Sequence, residues 1–190
     1  MTNRTLTALR TCTIIGLFSI GGAQAAETVI GSGAAQFCYE AADSSMSHRG
    51  DMQFCTDALA GVLSRNDRAA TFINRGVLEL RLMMVNAAQD DFNAGLAINS
   101  ELGEAYVDRG ATFIAQKKFA EAVVDIDRGL ALGSKEPEIA YYNRAMAQEG
   151  LGNLKAAYDD YHQALIVAPD FTKASDELKR FKLVQKPTGV

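Results

Sequence analysis

The sequence contains little of what a metal site or a nucleophilic site requires. It has two histidines, His48 and His162, and three cysteines without a Cys-x-x-Cys pair. Zinc sites built from spaced histidine and cysteine ligands therefore lack material, and a thiolate would have only these two histidines to assist it. Adjacent acids such as Asp90 and Asp91 diverge by about 100° on a helix and do not converge as an acid–base pair must. We expect no enzyme, no cofactor and no bound metal.

Long hydrophobic runs are also missing. The apolar run from Thr13 to Gly22 is too short to span a bilayer, and nothing after it is apolar over the ~18 residues that a membrane helix needs. Arginines precede this run, and Ala23-Gln24-Ala25 is a small-x-small pattern, so residues 1–25 are predicted to be a signal peptide that is cleaved after Ala25. We expect a periplasmic protein without stable membrane insertion, with secretion to the outside as the alternative.

An excess of basic residues is absent as well. Removal of residues 1–25 leaves 17 basic and 23 acidic residues, a net charge of −6. This balance argues against a nucleic-acid partner, and acids spread along the chain are typical of a soluble surface. The 165 residues that remain are enough for one ordinary core.

One short stretch, by contrast, is present three times. The sequence FINRG at Phe72 to Gly76 recurs as YVDRG at Tyr106 to Gly110 and as YYNRA at Tyr141 to Ala145, at spacings of 34 and 35 residues. A period near 34 residues indicates stacked helix pairs, each of which buries too little apolar surface to be stable alone.

Three units counted from Ala69, Gly103 and Glu138 share residue types at the same places. Place 4 is aromatic and places 8, 20 and 27 are small: Phe72, Gly76, Ala88 and Gly95 in the first unit, Tyr106, Gly110, Ala122 and Gly129 in the second, and Tyr141, Ala145, Ala157 and Ala164 in the third. Together with the late Pro169, this pattern resembles the tetratricopeptide repeat over residues 69–170. The resemblance implies an all-α fold, a right-handed α-solenoid of antiparallel helix pairs.

The flanking segments complete the predicted organisation. Residues 26–33, with Gly31-Ser32-Gly33, are expected to be a flexible leader, and residues 34–68 a degenerate helix pair that begins the array. Residues 171–190 are predicted to be a capping helix and a tail. The helix is expected to extend to Val184, because apolar residues recur there at helical spacing: Phe171, Ala174, Leu178 and Phe181.

A charged residue recurs at place 7, which packs toward the second helix of a unit in the family pattern. A charge there is costly to bury unless it is paired, and place 23 carries an aspartate in every unit. We predict three structural ion pairs, with a ligand site as the alternative: Arg75 with Asp91, Arg109 with Asp125, and Arg144 with Asp160.

Two cysteines, Cys38 and Cys55, follow the predicted cleavage site. In an oxidising compartment an even pair favours a disulfide. Counted from Ser32, the two cysteines fall at places 7 and 24, which face each other across a helix pair. We predict a disulfide between them, and a catalytic thiol is the alternative.

The resemblance also implies a peptide-binding groove lined by the first helices of the units. Places 5, 9 and 12 are apolar at eight of nine positions, and an exposed apolar patch of this kind needs a cover. Chaperone-binding members of the family hold a C-terminal carboxylate with lysines and asparagines where this chain is apolar, so that subtype is not expected. The predicted groove consists of Ile73, Asn74, Val77, Leu80, Val107, Asp108, Ala111, Ile114, Tyr142, Asn143 and Met146.

Place 6, with Asn74, Asp108 and Asn143, has two interpretations. In some members of the family an asparagine ladder there binds the backbone of an extended peptide, and the central aspartate keeps the acceptor but loses the donor. In the other interpretation these side chains contact the neighbouring repeat.

These observations predict a periplasmic protein-interaction module that binds an apolar or helical segment of an unidentified protein in its groove, as an adaptor or assembly factor. The alternative is a structural or self-associating envelope protein whose groove is filled by residues 26–33 or by a second copy. An accessory subunit of an enzyme is a third hypothesis.

Overall fold

The computed structural model describes residues 4–8, 33–44 and 48–185. A short 3-10 turn, Arg49–Asp51, precedes the second helix, and two strands, β1 (Arg4–Ala8) and β2 (Phe181–Gln185), pair in antiparallel orientation. The helices in the described part are α1 (Ala34–Asp43), α2 (Met52–Ala60), α3 (Arg65–Arg81), α4 (Val85–Ile98), α5 (Gly103–Ala115), α6 (Phe119–Ala131), α7 (Pro137–Gly150), α8 (Leu154–Val167) and α9 (Thr172–Leu178).

Most of the predicted N-terminal segments lie outside the described residues. Residues 26–32 of the predicted leader are among them, and only residues 4–8 of the predicted signal peptide are described. Those five residues form β1. Cleavage after Ala25, which stays a prediction, would remove β1 and leave β2 without its partner strand.

Four helix pairs stack in chain order, and the predicted all-α solenoid is confirmed. The pairs are α1 with α2, α3 with α4, α5 with α6 and α7 with α8; we call the first helix of each pair the A helix and the second the B helix. Glycines at place 8 allow the close approach: a Cβ at Gly110 would lie 2.6 Å from Cγ1 of Ile126, and one at Gly76 would lie 2.8 Å from the Phe92 ring. Because these glycines lack a Cβ, the two helices of a unit can pack closely at place 8.

Helix α3 begins at Arg65, four residues before the predicted start of the first unit at Ala69. The backbone N–H of Asp67 donates to the Ser64 side chain at 3.1 Å, a cap that satisfies an otherwise unpaired N–H of the first turn. Helix α3 is therefore about one turn longer at its N-terminal end than the predicted unit.

The core extends along the array as three clusters of buried apolar residues. Place 24 supplies the large buried side chain of each unit: Phe92, Ile126 and Tyr161, all with no exposed surface. Small residues of the B helices at place 20 are also fully buried: Ala88, Ala122 and Ala157. The apolar interior thus follows the stacking axis of the helix pairs.

The C-terminal helix is shorter than predicted. It ends at Leu178 instead of continuing to Val184, and the chain enters β2 at Phe181. The Phe181 ring is buried, and its centroid lies 5.8 Å from that of Tyr158 and 6.0 Å from that of Tyr161. Because these aromatic contacts hold Phe181 against α8, the chain turns away from the helical path.

Across the part of the chain that the structure describes, none of the helices combines the length and the apolar character that crossing a bilayer requires.

Candidate functional site

The arginine at place 7 of each unit binds the aspartate at place 23 through two hydrogen bonds. Nε donates to Oδ2 and Nη2 donates to Oδ1, the bidentate arrangement that makes such pairs strong. The Nε–Oδ2 and Nη2–Oδ1 distances are 2.6 and 2.9 Å for Arg75 with Asp91, 2.6 and 2.9 Å for Arg109 with Asp125, and 2.9 and 2.6 Å for Arg144 with Asp160.

The third guanidinium nitrogen, Nη1, reaches the B helix of the preceding pair. It donates to a side-chain oxygen at place 25 there: Arg75 to Thr56 at 3.3 Å, Arg109 to Asn93 at 2.9 Å and Arg144 to Asp127 at 2.5 Å. The hydrogen bonds to Asp91 raise the pKa of Arg75 above its ordinary value. Each arginine therefore joins three helices, which accounts for its repetition.

The predicted disulfide is present. Cys38 of α1 and Cys55 of α2 are bonded, with their Cα atoms 4.7 Å apart, and neither residue is exposed. The bond joins the A and B helices of the first pair, where later pairs use the arginine and the aspartate. Its burial removes both sulfurs from contact with solvent.

The predicted apolar wall of the groove is wrong for most of its residues, because they are buried. Ile73, Val77, Leu80, Val107, Ala111 and Ile114 expose at most 6% of their surface. Tyr142, Asn143 and Met146 are half-buried on α7. No continuous apolar patch therefore faces solvent along these places.

These residues are buried because the side chain at place 5 points toward the B helix of its own unit. A Cβ at Gly95 would lie 2.5 Å from Cδ1 of Ile73, and a Cβ at Gly129 would lie 2.6 Å from Cγ2 of Val107. Place 5 thus fills the space that the small residue at place 27 leaves on the B helix of the same unit. An aspartate at Ile73 or Val107 would be a core substitution.

The polar row at place 6 remains as the candidate site, on the face formed by the A helices α3, α5 and α7, which we call the A-helix face. Asn74 has no exposed surface, and neither atom of its amide has a hydrogen-bond partner in the described structure. Asp108 is 6% exposed, and its Oδ2 is likewise unpartnered there. Such groups cost about 1–3 kcal/mol each when they stay unpaired.

A small cleft opens beside Asp108, between the N-terminal ends of α5 and α7. Its volume is ≈ 10 Å³. The Ser134 hydroxyl donates to Oε1 of Glu104 at 3.1 Å, and the backbone N–H of Lys135 donates to the same oxygen. These bonds hold the Glu104 carboxylate at the cleft, which is lined by Glu104, Val107, Asp108, Ser134, Glu136 and Ile139.

The electrostatics of the cleft act on Asp108. Burial, together with the negative charges of Glu104 and Glu136, raises the pKa of its carboxyl group to about 8, while Arg81 opposes this shift. Arg81 lies at the C-terminal end of α3, and its Nη1 donates to the backbone oxygen of Ser44 at 2.7 Å. The cleft thus contains three carboxyl groups and one nearby guanidinium.

Four residues of this cleft were absent from the predicted site: Glu104, Ser134, Glu136 and Ile139. Glu104 precedes Asp108 by four residues, so the helical period alone places the two acids on one face. Ser134 and Glu136 come from the segment between α6 and α7, whose position no periodicity indicates.

Comparison with known proteins finds no matching family model. The chain is 32% identical over 87 residues to sperm-associated antigen 1 of Rattus norvegicus and 28% identical over 92 residues to that of Homo sapiens. These matches cover 46% and 48% of this chain, and in both cases 10% of the relative, so the chain spans about a tenth of the length of the curated relatives it matches.

Solved structures resemble the helix array more extensively. The TPR domain of Arabidopsis OM64 has a TM-score of 0.59 at 23% identity and covers 62% of this chain and 96% of that domain. The first TPR of Spaghetti (RPAP3), bound to the HSP90 peptide SRMEEVD, has 0.56 at 24%, covering 60% and 92%. MamA of Desulfovibrio magneticus RS-1 has 0.62 at 17%, covering 76% and 77%. The fold of this chain is therefore that of tetratricopeptide repeat domains.

Proposed function

We propose that the protein is a protein-interaction module whose A-helix face binds a segment of another protein. The observation that carries this proposal is the polar row at place 6, where Asn74 and Asp108 keep unpaired hydrogen-bonding atoms in a folded interior. A structural role would pair these atoms with a neighbouring repeat, and the described structure offers them no such partner. An extended segment presents backbone N–H and C=O groups that could pair with them.

The bound segment is proposed to be extended and to make polar contacts. The apolar side chains that favoured an apolar or helical partner are buried in the core, as is Asn74, whereas Asp108 lines the cleft between α5 and α7. One solved neighbour of the same fold holds the peptide SRMEEVD, which is acidic at its end. This chain places the carboxylates of Glu104 and Glu136 beside Asp108 at the cleft, so an acidic tail would be repelled.

The setting is proposed to be the periplasm, with an adaptor or assembly role. The proposal rests on the predicted signal peptide, residues 1–25, and on the disulfide between Cys38 and Cys55, which is typical of oxidising compartments.

Photo-cross-linking tests this function. A photoreactive amino acid at position 143, where Asn143 of α7 is half-buried, is compared with one at position 124, where Val124 of α6 is 68% exposed. We expect position 143 to cross-link to a distinct protein and position 124 to remain uncoupled. Cross-links to a second copy alone would favour the self-associating alternative, and equal cross-linking from both positions would overturn the proposal.

A further inference from the structure

The cleft between α5 and α7 combines negative charge with an incompletely bonded carboxyl group. Glu104, Asp108 and Glu136 line a cavity of ≈ 10 Å³. We propose that this cleft binds the ammonium group of a lysine side chain from the partner segment. This inference rests on the proposed function, because it assumes that a protein segment lies on the A-helix face.

Among the residues that line the cleft, Asp108 supplies the unpartnered buried oxygen. Its side chain is more than nine-tenths buried, it lines the cavity, and Oδ2 has no partner among the described residues. An N–H donor in the cavity would satisfy that oxygen, and a charged donor forms the stronger bond. The Glu104 carboxylate accepts from Ser134 and Lys135 and has no hydrogen to donate to that oxygen.

The size of the cavity favours an ammonium group. A volume of ≈ 10 Å³ is close to the least that a water-sized group needs, and a lysine ammonium is a compact charge on a long flexible stem. A planar guanidinium is larger. Within the described residues, no three histidine, cysteine or acidic side chains are arranged to hold a metal ion.

The apolar rim fits the same occupant. Val107 and Ile139 line the cavity beside the carboxyl groups, and both are at least nine-tenths buried. The methylene stem of a lysine packs on apolar surface while its charged end reaches a polar partner. The cleft therefore offers complementary surface to both parts of this side chain.

Binding of a lysine is linked to pH. Burial, and then the charges of Glu104 of α5 and Glu136 before α7, which face Asp108, raise its pKa to about 8, while Arg81 at the end of α3 opposes the shift. A bound ammonium favours the ionised carboxyl group, so binding releases a proton when the pH lies below that value. The affinity for a lysine-containing segment therefore rises as the pH approaches 8.

The test uses the full chain and three extended probe peptides of the form acetyl-Thr-Val-Xaa-Val-Thr-amide, with Lys, Gln or Glu at the central position. Backbone amide shifts of the isotope-labelled protein are followed during titration. We expect the Lys peptide to shift the amide signals of Asp108, Ser134 and Ile139. Its dissociation constant should be about tenfold or more below that of the Gln peptide. The Glu peptide should bind least.

Two variants make the outcome decisive. Asp108→Asn keeps the shape of the side chain and should weaken the Lys peptide about tenfold, whereas Glu121→Gln, an exposed acid on α6, removes one charge and should change nothing. Equal binding of the Lys and Gln peptides would overturn the lysine site and leave the interaction module intact. Failure of every peptide, or the same shifts with Ca²⁺ alone, would also overturn it, while cross-linking at position 143 tests the module separately.

Discussion

At the residue scale, the arginine at place 7 shows how one side chain can serve three helices. In the second unit the Arg109 guanidinium binds Asp125 of its own B helix and Asn93 of the preceding one, and it lies 5.4 Å from the centroid of the Tyr106 ring. Side-chain exposures of 19% for Arg109 and 10% for Asp125 make the loss of either partner costly, because the other charge would stay buried and unpaired.

Removal of one partner should therefore cost more than removal of both. We expect Asp125→Leu to lower the free energy of unfolding by about 2 kcal/mol or more, because Arg109 is left unpaired. The double variant Asp125→Leu with Arg109→Met should recover most of that loss. Urea unfolding followed by circular dichroism measures both.

A surface pair provides the control. Lys155 and Asp159 form an ion pair whose side chains are 79% and 55% exposed, and Lys155→Met should change stability by only a few tenths of a kcal/mol. If the double variant were as unstable as the sum of the single variants, the structural coupling of Arg109 and Asp125 would be refuted.

Asp108 makes stability depend on pH. Its pKa is raised from 3.8 to about 8, so between these values the folded protein holds a proton that the unfolded chain has lost. The free energy of unfolding therefore falls as the pH rises through this window, with a slope from this one group of at most about 1.4 kcal/mol per pH unit.

Urea midpoints at a series of pH values test this expectation. The wild-type midpoint should fall more steeply with rising pH than that of Asp108→Asn, whose side chain does not titrate. Glu79, with a pKa raised to about 7 chiefly by burial, contributes the same sign in both proteins and cancels in the comparison. Parallel curves for the two proteins would show that Asp108 is ionised throughout.

At the element scale, the turns after the A helices share one geometry with different residues. The backbone is left-handed at Met83 (φ 60°), Lys117 (φ 61°) and Gly152 (φ 81°). In each turn the next N–H donates back across the helix end: Met84 to Glu79 O, Lys118 to Phe113 O and Asn153 to Gln148 O, all at 2.8 Å. This is the bond pattern of a Schellman motif, in which glycine is favoured.

The two units without glycine at this point therefore carry backbone strain. Lys117→Gly should raise the free energy of unfolding by up to about 1 kcal/mol, because a left-handed conformation is costly for residues with a Cβ. Gly152→Ala should lower it by about 1 kcal/mol for the same reason. Thermal unfolding of both variants checks the expectation, and a change of the same sign in both would contradict it.

The disulfide stabilises the first helix pair. Cys38 and Cys55 are separated by 17 residues, and closing a loop of this length stabilises by about 3 kcal/mol in the chain-entropy model. We expect Cys38→Ala with Cys55→Ala to lose about that much in urea unfolding. Dithiothreitol should destabilise the wild type and leave the double variant unchanged; a variant as stable as the wild type would refute the contribution.

Helix pairing was predictable because small residues recur at fixed places and allow close approach, as Gly110 does against Ile126. The ion pairs and the disulfide followed from charge and from cysteine number. The direction of the side chain at place 5 was not predictable from the pattern. Ile73 packs on the B helix of its own unit because Gly95 leaves room there. The end of α9 was set by the burial of Phe181 against aromatic residues distant in sequence.

At the scale of the whole molecule, stacking decides which surfaces remain for a partner. Apolar residues of the A helices are buried in contacts within and between pairs. Val77 and Leu80, for example, belong to the cluster that also contains Ala105 and Ala111. At place 6, Asn74 and Asp108 are buried with unpartnered side-chain atoms, and Asn143 is half-buried. The cleft beside Asp108 requires two stacked pairs and the segment that contains Ser134 and Glu136, so it is a property of the array and not of one repeat.

The measurement that tests the central claim most directly is the comparison of photo-cross-linking from positions 143 and 124 in the native cells. A partner captured from position 143 on α7 and not from position 124 on α6 is the predicted result, since it places binding on the A-helix face. A partner captured only from position 124 would put binding on the B-helix side and contradict the account.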